Sequence, residues 1–213
     1  MPVAPELVQK TIRYLPHDVR AMVQVQLLTG ARPGEIRSLR WSEIETSGDI
    51  WQYRPLHHKT KHHNRERTIR FGPLAQAILL AFKDRDPNQP LFSPAQSESA
   101  RHAAMRAARK TPVQPTQVLR AKLAAKTATK RDRTPGILYT RKSYRKAVAR
   151  ACERANVEHW HPHQLRHTFA DFATRTDSLD LASTLLDHSS LRTTLAYTDT
   201  DTRRANDFAR QHG

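Results

Sequence analysis

A single cysteine, Cys152, occurs in the 213 residues, so an internal disulfide is excluded and a reducing compartment is indicated. The alanines around it predict a buried, inert helix position. No apolar run approaches the roughly 20 residues that a membrane span needs, and the first ten residues lack the apolar core of a secretory signal. We therefore expect a cytoplasmic protein with no membrane partner.

Acidic residues are scarce as well. The chain has 20 Asp and Glu against 36 Lys and Arg, which gives a formal net charge of +16. Such an excess opposes compactness, and its usual reason is a polyanionic partner, with nucleic acid as the first candidate. A membrane surface is less favoured, because no strongly amphipathic helix with an aromatic-rich apolar face is present. A generic basic surface is the remaining alternative.

Hydrophobic spacing predicts a fold that is mainly α with a small antiparallel β-sheet (α+β). One helix, 17–29, ends at Gly30, a residue common at helix C-termini. Two short β-forming runs, 50–54 and 67–71, indicate a hairpin with a basic tip at 57–66. The inward positions of the helix 17–29 are Ala21, Met22, Val25 and Leu28. The other predicted helices are 5–15, 33–40, 74–83, 140–155, 162–175 and 178–187, with one more opened by Ser93 and Pro94 and apolar at Ala103, Met105 and Ala107.

The segment 93–137 differs from the rest in its basic character. From residue 99 to residue 146 there are fourteen Lys and Arg and one acid, Asp132. Such blocks are often mobile loops, and on a basic protein they tend to contact nucleic acid. We interpret the segment as a basic insertion. A solvated, disordered loop is the alternative.

The stretch 161–197 combines residue types suited to phosphodiester chemistry. His163, Arg166 and His167 are spaced three and four apart, so one helix face can present all three. Arginine offers a planar fork of donors to phosphate, and histidine exchanges protons near neutral pH. His188 and, nine residues later, Tyr197 complete the stretch, and the Tyr197 phenol is a candidate nucleophile.

A second candidate anion site lies in TGARPGE. Pro33 suits the first position of a helix and Glu35 its first turn, which places Arg32 at the helix N-terminus. A helix N-terminus combined with a guanidinium can bind an anion. Alternatively, Arg32 only pairs with Glu35 or Glu43, and the sequence leaves both interpretations open.

Five segments in this order resemble the catalytic domain of the tyrosine recombinases, also called phage-type integrases. They are the first arginine box (TGARPGE), the β-hairpin lysine segment (HKTKHHNRERTIRF), the H-x-x-R box (HPHQLRH), the L-G-H-S box (LLDHSS) and the nucleophile segment (TTLAYTD). The resemblance implies that residues 1–213 form the tyrosine recombinase/integrase catalytic-domain fold, interrupted by the basic insertion. On this interpretation the N-terminal core-binding domain of the family is absent, and the chain is a fragment or a minimal recombinase.

The resemblance also implies the site residues and their roles. Arg32, Arg166 and His188 would hold the phosphate while His163 acts on Tyr197 as a base or an orienting donor. Lys59 would protonate the departing 5′ oxygen, and the product would be a 3′-phosphotyrosine, formed without metal, nucleotide or other cofactor. The implied partner is double-stranded DNA, on which family members act as tetramers at paired sites; no small-molecule substrate is implied. Candidate DNA-binding residues are Lys61, Arg65, Arg141 and Lys142.

Some positions depart from the family pattern or admit a second role. Asp187 replaces the glycine of the L-G-H-S box, where it would either orient His188 or repel the phosphate. Lys61 competes with Lys59 for the acid role, and the K-T pattern favours Lys59. His167 is expected to be structural and Glu35 to orient a neighbour.

Three other interpretations are compatible with parts of the sequence pattern. A type IB topoisomerase-like enzyme uses the same kind of tyrosine intermediate but rejoins the original ends. A DNA-binding protein with a decayed site would keep the charge and lose the chemistry. A structural zinc site is suggested by the twelve histidines, although cysteine is nearly missing and no H-E-x-x-H motif occurs.

Overall fold

The computed structural model describes residues 1–55, 67–127 and 135–186, and over these ranges it confirms a mainly α fold with a small antiparallel sheet. The helices are α1 Pro5–Ile12, α2 His17–Thr29, α3 Pro33–Ser38, α4 Pro73–Leu80, α5 Pro94–Ala107, α6 Pro115–Thr127, α7 Arg141–Ala155, α8 Pro162–Thr176 and α9 Leu179–Leu186. The strands are β1 Ile44–Glu45, β2 Trp51–Tyr53 and β3 Ile69–Phe71. No helix within these ranges is long and apolar enough to cross a bilayer.

Helix α2 is the element around which the others pack. It contacts α3, α4, α5, α7 and α8, so it buries residues on several sides. The predicted end is confirmed: Gly30 has a φ of 62°, and its N–H donates to the carbonyl of Gln26. The inward position predicted for Leu28 is wrong, since this side chain is 39% exposed. In the last two turns the buried stripe runs through Val25, Gln26 and Thr29, which leaves Leu28 at its edge.

The sheet has three antiparallel strands in the order β1-β2-β3. Tyr53 lies opposite both Ile44 and Ile69, and the stacked rings of Tyr53 and Phe71 are 6.3 Å apart between centroids. Strands β2 and β3 confirm the predicted pairing, whereas β1 was not predicted because two residues give no measurable alternation. The predicted hairpin tip lies outside the described residues.

Three helices end earlier than predicted. α1 ends at Ile12, where the chain continues in tighter turns before Pro16. α3 ends at Ser38 because Leu39 becomes extended and its carbonyl accepts the N–H of Leu91 at 2.7 Å. α4 ends at Leu80, where the chain continues in tighter turns.

The helices α7, α8 and α9 agree with the prediction to within one residue. α7 starts at a capping box in which the hydroxyl of Thr140 accepts the N–H of Ser143, and it stops at Asn156, which is left-handed with a φ of 51°. Cys152 is fully buried on this helix, as its alanine neighbours predicted.

The basic segment is more helical than predicted. Ser93 caps α5 as expected, and α6 occupies 115–127, inside the basic insertion, where no helix was predicted. Alanine, leucine, lysine and glutamine all favour helix, and here this intrinsic preference outweighs the lack of an apolar face. The side chains of residues 115–124 are exposed, as are the apolar positions Ala103, Met105 and Ala107 of α5.

Candidate active site

Arg32 and Glu35 form one unit at the start of α3. The N–H of Arg32 donates to Glu35 Oε2 at 2.7 Å, and the guanidinium of Arg32 donates to Glu35 Oε1 at 2.9 Å. The predicted pairing of Arg32 with Glu35 is therefore present, while Glu43 pairs with Arg40 instead. Arg32 keeps 24% of its side chain exposed, so the ion pair fixes the guanidinium without enclosing it.

Arg67 is a second cation on the same carboxylate, and it was not predicted from the sequence. Its Nε lies 3.5 Å from Glu35 Oε1, and its NH1 donates to the carbonyl of Leu185 at 3.1 Å. Alternation with the buried Ile69 and Phe71 places Arg67 on the core side, a signal that was available in the sequence. An arginine whose side chain faces the core requires a buried partner for its charge, and Glu35 is that partner.

Burial alone would raise the pKa of Glu35. The positive charges of Arg67 and Arg32, together with the hydrogen bonds from Arg32, outweigh burial, so the net pKa is below the ordinary 4.5. Glu35 is therefore a carboxylate at neutral pH, and its negative charge allows two guanidinium groups to lie close together.

Arg166 connects α8 to the ends of two other helices. Its NH1 donates to the carbonyl of Gly30 at 2.8 Å, and its NH2 donates to the carbonyl of Leu186 at 2.7 Å. Only 1% of Arg166 is exposed. Both carbonyls lie two residues before a predicted site residue, Arg32 in one case and His188 in the other.

The two histidines of α8 contact each other edge to face. The rings of His163 and His167 are 5.2 Å apart between centroids and nearly perpendicular. Burial, followed by the charge of Arg166, lowers the pKa of His163, and Arg32 contributes in the same direction. Burial likewise lowers the pKa of His167 to about 4. Both imidazoles are therefore neutral at pH 7, the state in which a histidine can accept a proton.

A buried polar pair behind the site joins the backbone next to Arg32 to the backbone next to His163. Gln26 Nε2 donates to the carbonyl of Ala31 at 2.9 Å and to that of Pro162 at 3.4 Å. The hydroxyl of Tyr144 on α7 donates to Gln26 Oε1 at 2.7 Å. Neither Gln26 nor Tyr144 was predicted as a site residue from the sequence. The signal available in the sequence was Gln26 itself, a glutamine at an inward position of α2 among mostly apolar residues.

The structure thus brings Arg32, His163 and Arg166 into one neighbourhood. Arg141 and Lys142 lie exposed in the first turn of α7, and Arg141 lines a cavity together with His163. The predicted site residues outside the described ranges are Lys59, Lys61, Arg65, His188 and Tyr197. Among the described residues, no group of three or more His, Cys, Asp or Glu is arranged to hold a metal ion.

Comparison with known proteins identifies the family. The sequence model described as the phage integrase family matches residues 4–204. The chain belongs to the phage integrase family. A search of curated proteins gave no match.

Solved structures confirm the integrase fold. The XerA recombinase superimposes with a TM-score of 0.61 at 16% identity, covering 100% of this chain and 65% of that one. The XerH site-specific recombinase, in a pre-cleavage complex with difH substrate, gives 0.58 at 16% identity, covering 98% and 53%. The Tn1549 transposon integrase in complex with transposon right end DNA gives 0.58 at 13% identity, covering 100% and 66%. The chain therefore spans about half to two thirds of the length of these integrase relatives.

Proposed function

We propose that this integrase-family chain is a site-specific DNA recombinase that cleaves and rejoins DNA through a 3′-phosphotyrosine on Tyr197. The observation that carries the proposal is the hydrogen bond from Arg166 to the carbonyl of Gly30. It ties a guanidinium on α8 to the backbone two residues before Arg32, which supports a shared site for the two arginines of the family pattern although they are far apart in the chain.

In this proposal two guanidinium groups and a neutral imidazole surround the reacting phosphate. Arg32 and Arg166 stabilise the negative charge that gathers on the non-bridging oxygens during phosphoryl transfer, Arg32 from a partly exposed position and Arg166 from a buried one. The Tyr197 phenol has an ordinary pKa of about 10, so it must lose its proton as it attacks. His163 is neutral at pH 7 because its pKa is lowered, and it accepts or orients that proton.

The proposed steps balance without a cofactor. A bond forms between the Tyr197 oxygen and phosphorus as the bond from phosphorus to the 5′ oxygen breaks, and Lys59 gives a proton to that oxygen. His188 donates a hydrogen bond to the phosphate. A 5′-hydroxyl then attacks the phosphotyrosine and gives its proton to Lys59, while His163 returns a proton to the departing Tyr197 oxygen. The covalent link keeps the bond energy between the two steps.

Double-stranded DNA is the proposed partner, with Lys61, Arg65, Arg141 and Lys142 as candidate backbone contacts. Two complexes with DNA among the similar structures support this choice of partner. A homo-tetramer on paired sites is the proposed assembly, taken from the family pattern.

Covalent trapping tests the chemistry. Nicked suicide duplexes from a library of candidate sites release the short cleaved strand, so the phosphotyrosine cannot be resealed. We expect a protein–DNA adduct that survives denaturation with the native chain and is lost in Tyr197→Phe, while Tyr14→Phe, which changes a half-buried tyrosine beside Arg13, keeps it. DNA binding without any adduct would contradict the proposal and favour a DNA-binding protein with a decayed site.

A second assay separates recombination from topoisomerase-like activity. Plasmids carrying two trapped sites should yield exchanged products in the presence of the native chain. Relaxation of supercoils without exchange would instead favour a type IB topoisomerase-like enzyme. Asp187→Gly restores the family pattern beside His188, and a faster adduct in this variant would show that Asp187 repels the phosphate.

A further inference from the structure

A basic cavity of about 410 Å³ lies beside His163, where the first turns of α7 and α8 meet α3. Its basic lining residues are Arg37, Arg141, Arg145, His161 and His163, and none of its lining residues within the described chain is Asp or Glu. We call it the arginine pocket. It lies outside the arrangement of Glu35, Arg32 and Arg67.

The charges of the arginine pocket are not balanced by its own walls. Three guanidinium groups share one cavity, whereas Arg32 and Arg67 share the carboxylate of Glu35. Burial lowers the pKa of Arg37, and the charge of Arg141 lowers it further. Like charges held this close favour an anion between them.

Arg37 is fixed in place rather than extended into solvent. Its NH1 donates to the carbonyl of Tyr139 at 2.6 Å, and its buried Nε has no hydrogen-bond partner among the described residues. A buried N–H without an acceptor costs free energy, and a negative charge near the guanidinium would offset part of that cost. Two helices of fifteen residues, α7 and α8, also begin at the pocket and add the positive ends of their dipoles.

We propose that the arginine pocket binds a backbone phosphate of DNA next to the one held by Arg32 and Arg166. This inference rests on the proposed function, because it takes the same duplex as its ligand. His163 belongs to the catalytic site and also lines the arginine pocket, so the two sites are adjacent. Along the axis of a DNA duplex, successive phosphates of one strand are about 3.4 Å apart. One strand can therefore occupy the catalytic site and the arginine pocket together.

The experiment compares Arg145→Gln with the matched control Arg150→Gln. Both arginines are exposed on α7, but Arg150 lines a different groove. Binding to a fluorescent duplex of random sequence is measured over a range of salt concentrations. We expect Arg145→Gln to bind about tenfold more weakly and to lower the slope of log K against log salt by about 1. Arg150→Gln should change affinity less than about twofold.

A double variant tells whether one phosphate or two are bound. If Arg32 and Arg145 hold different phosphates, Arg32→Gln with Arg145→Gln loses the product of the single effects and lowers the salt slope by about 2. If Arg32 and Arg145 act on one phosphate, the double variant binds duplex DNA as tightly as the weaker-binding of the two single variants. That result would overturn the proposal, as would equal effects of Arg145→Gln and Arg150→Gln. Thermal unfolding of each variant verifies that the chain remains folded.

The outcomes also separate this inference from the proposed function. A native chain that binds duplex DNA but forms no adduct contradicts the catalytic proposal, and the arginine pocket is then judged on binding alone. A native chain that does not bind duplex DNA at low salt contradicts both.

Discussion

Glu35 is the residue whose negative charge allows Arg32 and Arg67 to lie close together. Its carboxylate contacts Arg32 and Arg67, and it is itself almost fully buried. Removing one partner of a buried ion pair leaves the other charge uncompensated, which typically costs about 3–5 kcal/mol. We expect Glu35→Gln to reduce the free energy of unfolding at pH 7 by an amount of this order, measured by urea denaturation.

The same variant gives a pH test. The folded-state pKa of Glu35 lies below its ordinary value of 4.5, so its stabilisation is present above pH 4.5 and is lost as the pH falls through the lower folded value. The stability gap between the native chain and Glu35→Gln should therefore shrink at acid pH. A gap that stays constant would contradict the assignment. Glu153→Gln, an exposed carboxylate on α7, is the control and should change stability by less than about 0.5 kcal/mol.

At the scale of elements, the end of α2 is held against α8 and α9. A Cβ at Gly30 would lie 2.3 Å from Phe169 Cδ1 and 2.7 Å from Leu186 Cδ2, and the φ of 62° disfavours any side chain. We expect Gly30→Ala to lower the free energy of unfolding by about 2 kcal/mol or more. It should also slow adduct formation, because the Gly30 carbonyl accepts a hydrogen bond from Arg166.

Gly72 provides the matched control for Gly30. It lies before α4 at a φ of −77°, and a Cβ there would meet nothing within 4 Å. Gly72→Ala should therefore leave stability within about 0.5 kcal/mol of the native value. Similar losses in both alanine variants would show that crowding at Gly30 is not the cause.

A second element-scale prediction concerns the contact between α2 and α7. Tyr144→Phe removes the hydroxyl that donates to Gln26, and the buried Gln26 Oε1 loses that donor. The expected cost is about 1–3 kcal/mol of stability. Because Gln26 holds the backbone beside both Arg32 and His163, the rate of adduct formation should fall more than DNA affinity does.

Two further variants distinguish a positioning role of Tyr144 from general destabilisation of the chain. Tyr14→Phe changes a half-buried tyrosine beside Arg13, outside the Gln26 contacts, and should leave the adduct rate unchanged. Gln26→Leu should reproduce the rate loss of Tyr144→Phe. Equal losses of rate and affinity in Tyr144→Phe would contradict a positioning role.

Considered as a whole molecule, the chain shows which features local sequence predicts. The ends of α2 and α7 were predictable, because Gly30 and Asn156 adopt left-handed conformations that few residues tolerate. Arg32, His163 and Arg166 were singled out by helix spacing, by a predicted helix N-terminus and by the order of the family boxes, and the fold brings them into one neighbourhood. Arg67, Gln26 and Tyr144 were not predicted, because their roles depend on contacts with residues distant in sequence, namely Glu35, Pro162 and each other. Helix α6 was missed because residue preference, not an apolar face, sets its conformation.

The net charge of +16 belongs to the molecule as a whole, and its consequence in solution is salt-dependent binding to DNA. The sequence offers many cations to the DNA backbone, and phosphate contacts release counterions, so affinity should depend steeply on salt. For about six phosphate contacts, we expect affinity for a random duplex to fall roughly 10³-fold between about 50 and 200 mM salt. Anisotropy titrations at several salt concentrations measure the slope, with an uncharged peptide-nucleic-acid strand as the control ligand. A flat response across that range would mean that base contacts or apolar burial, rather than phosphate contacts, dominate binding.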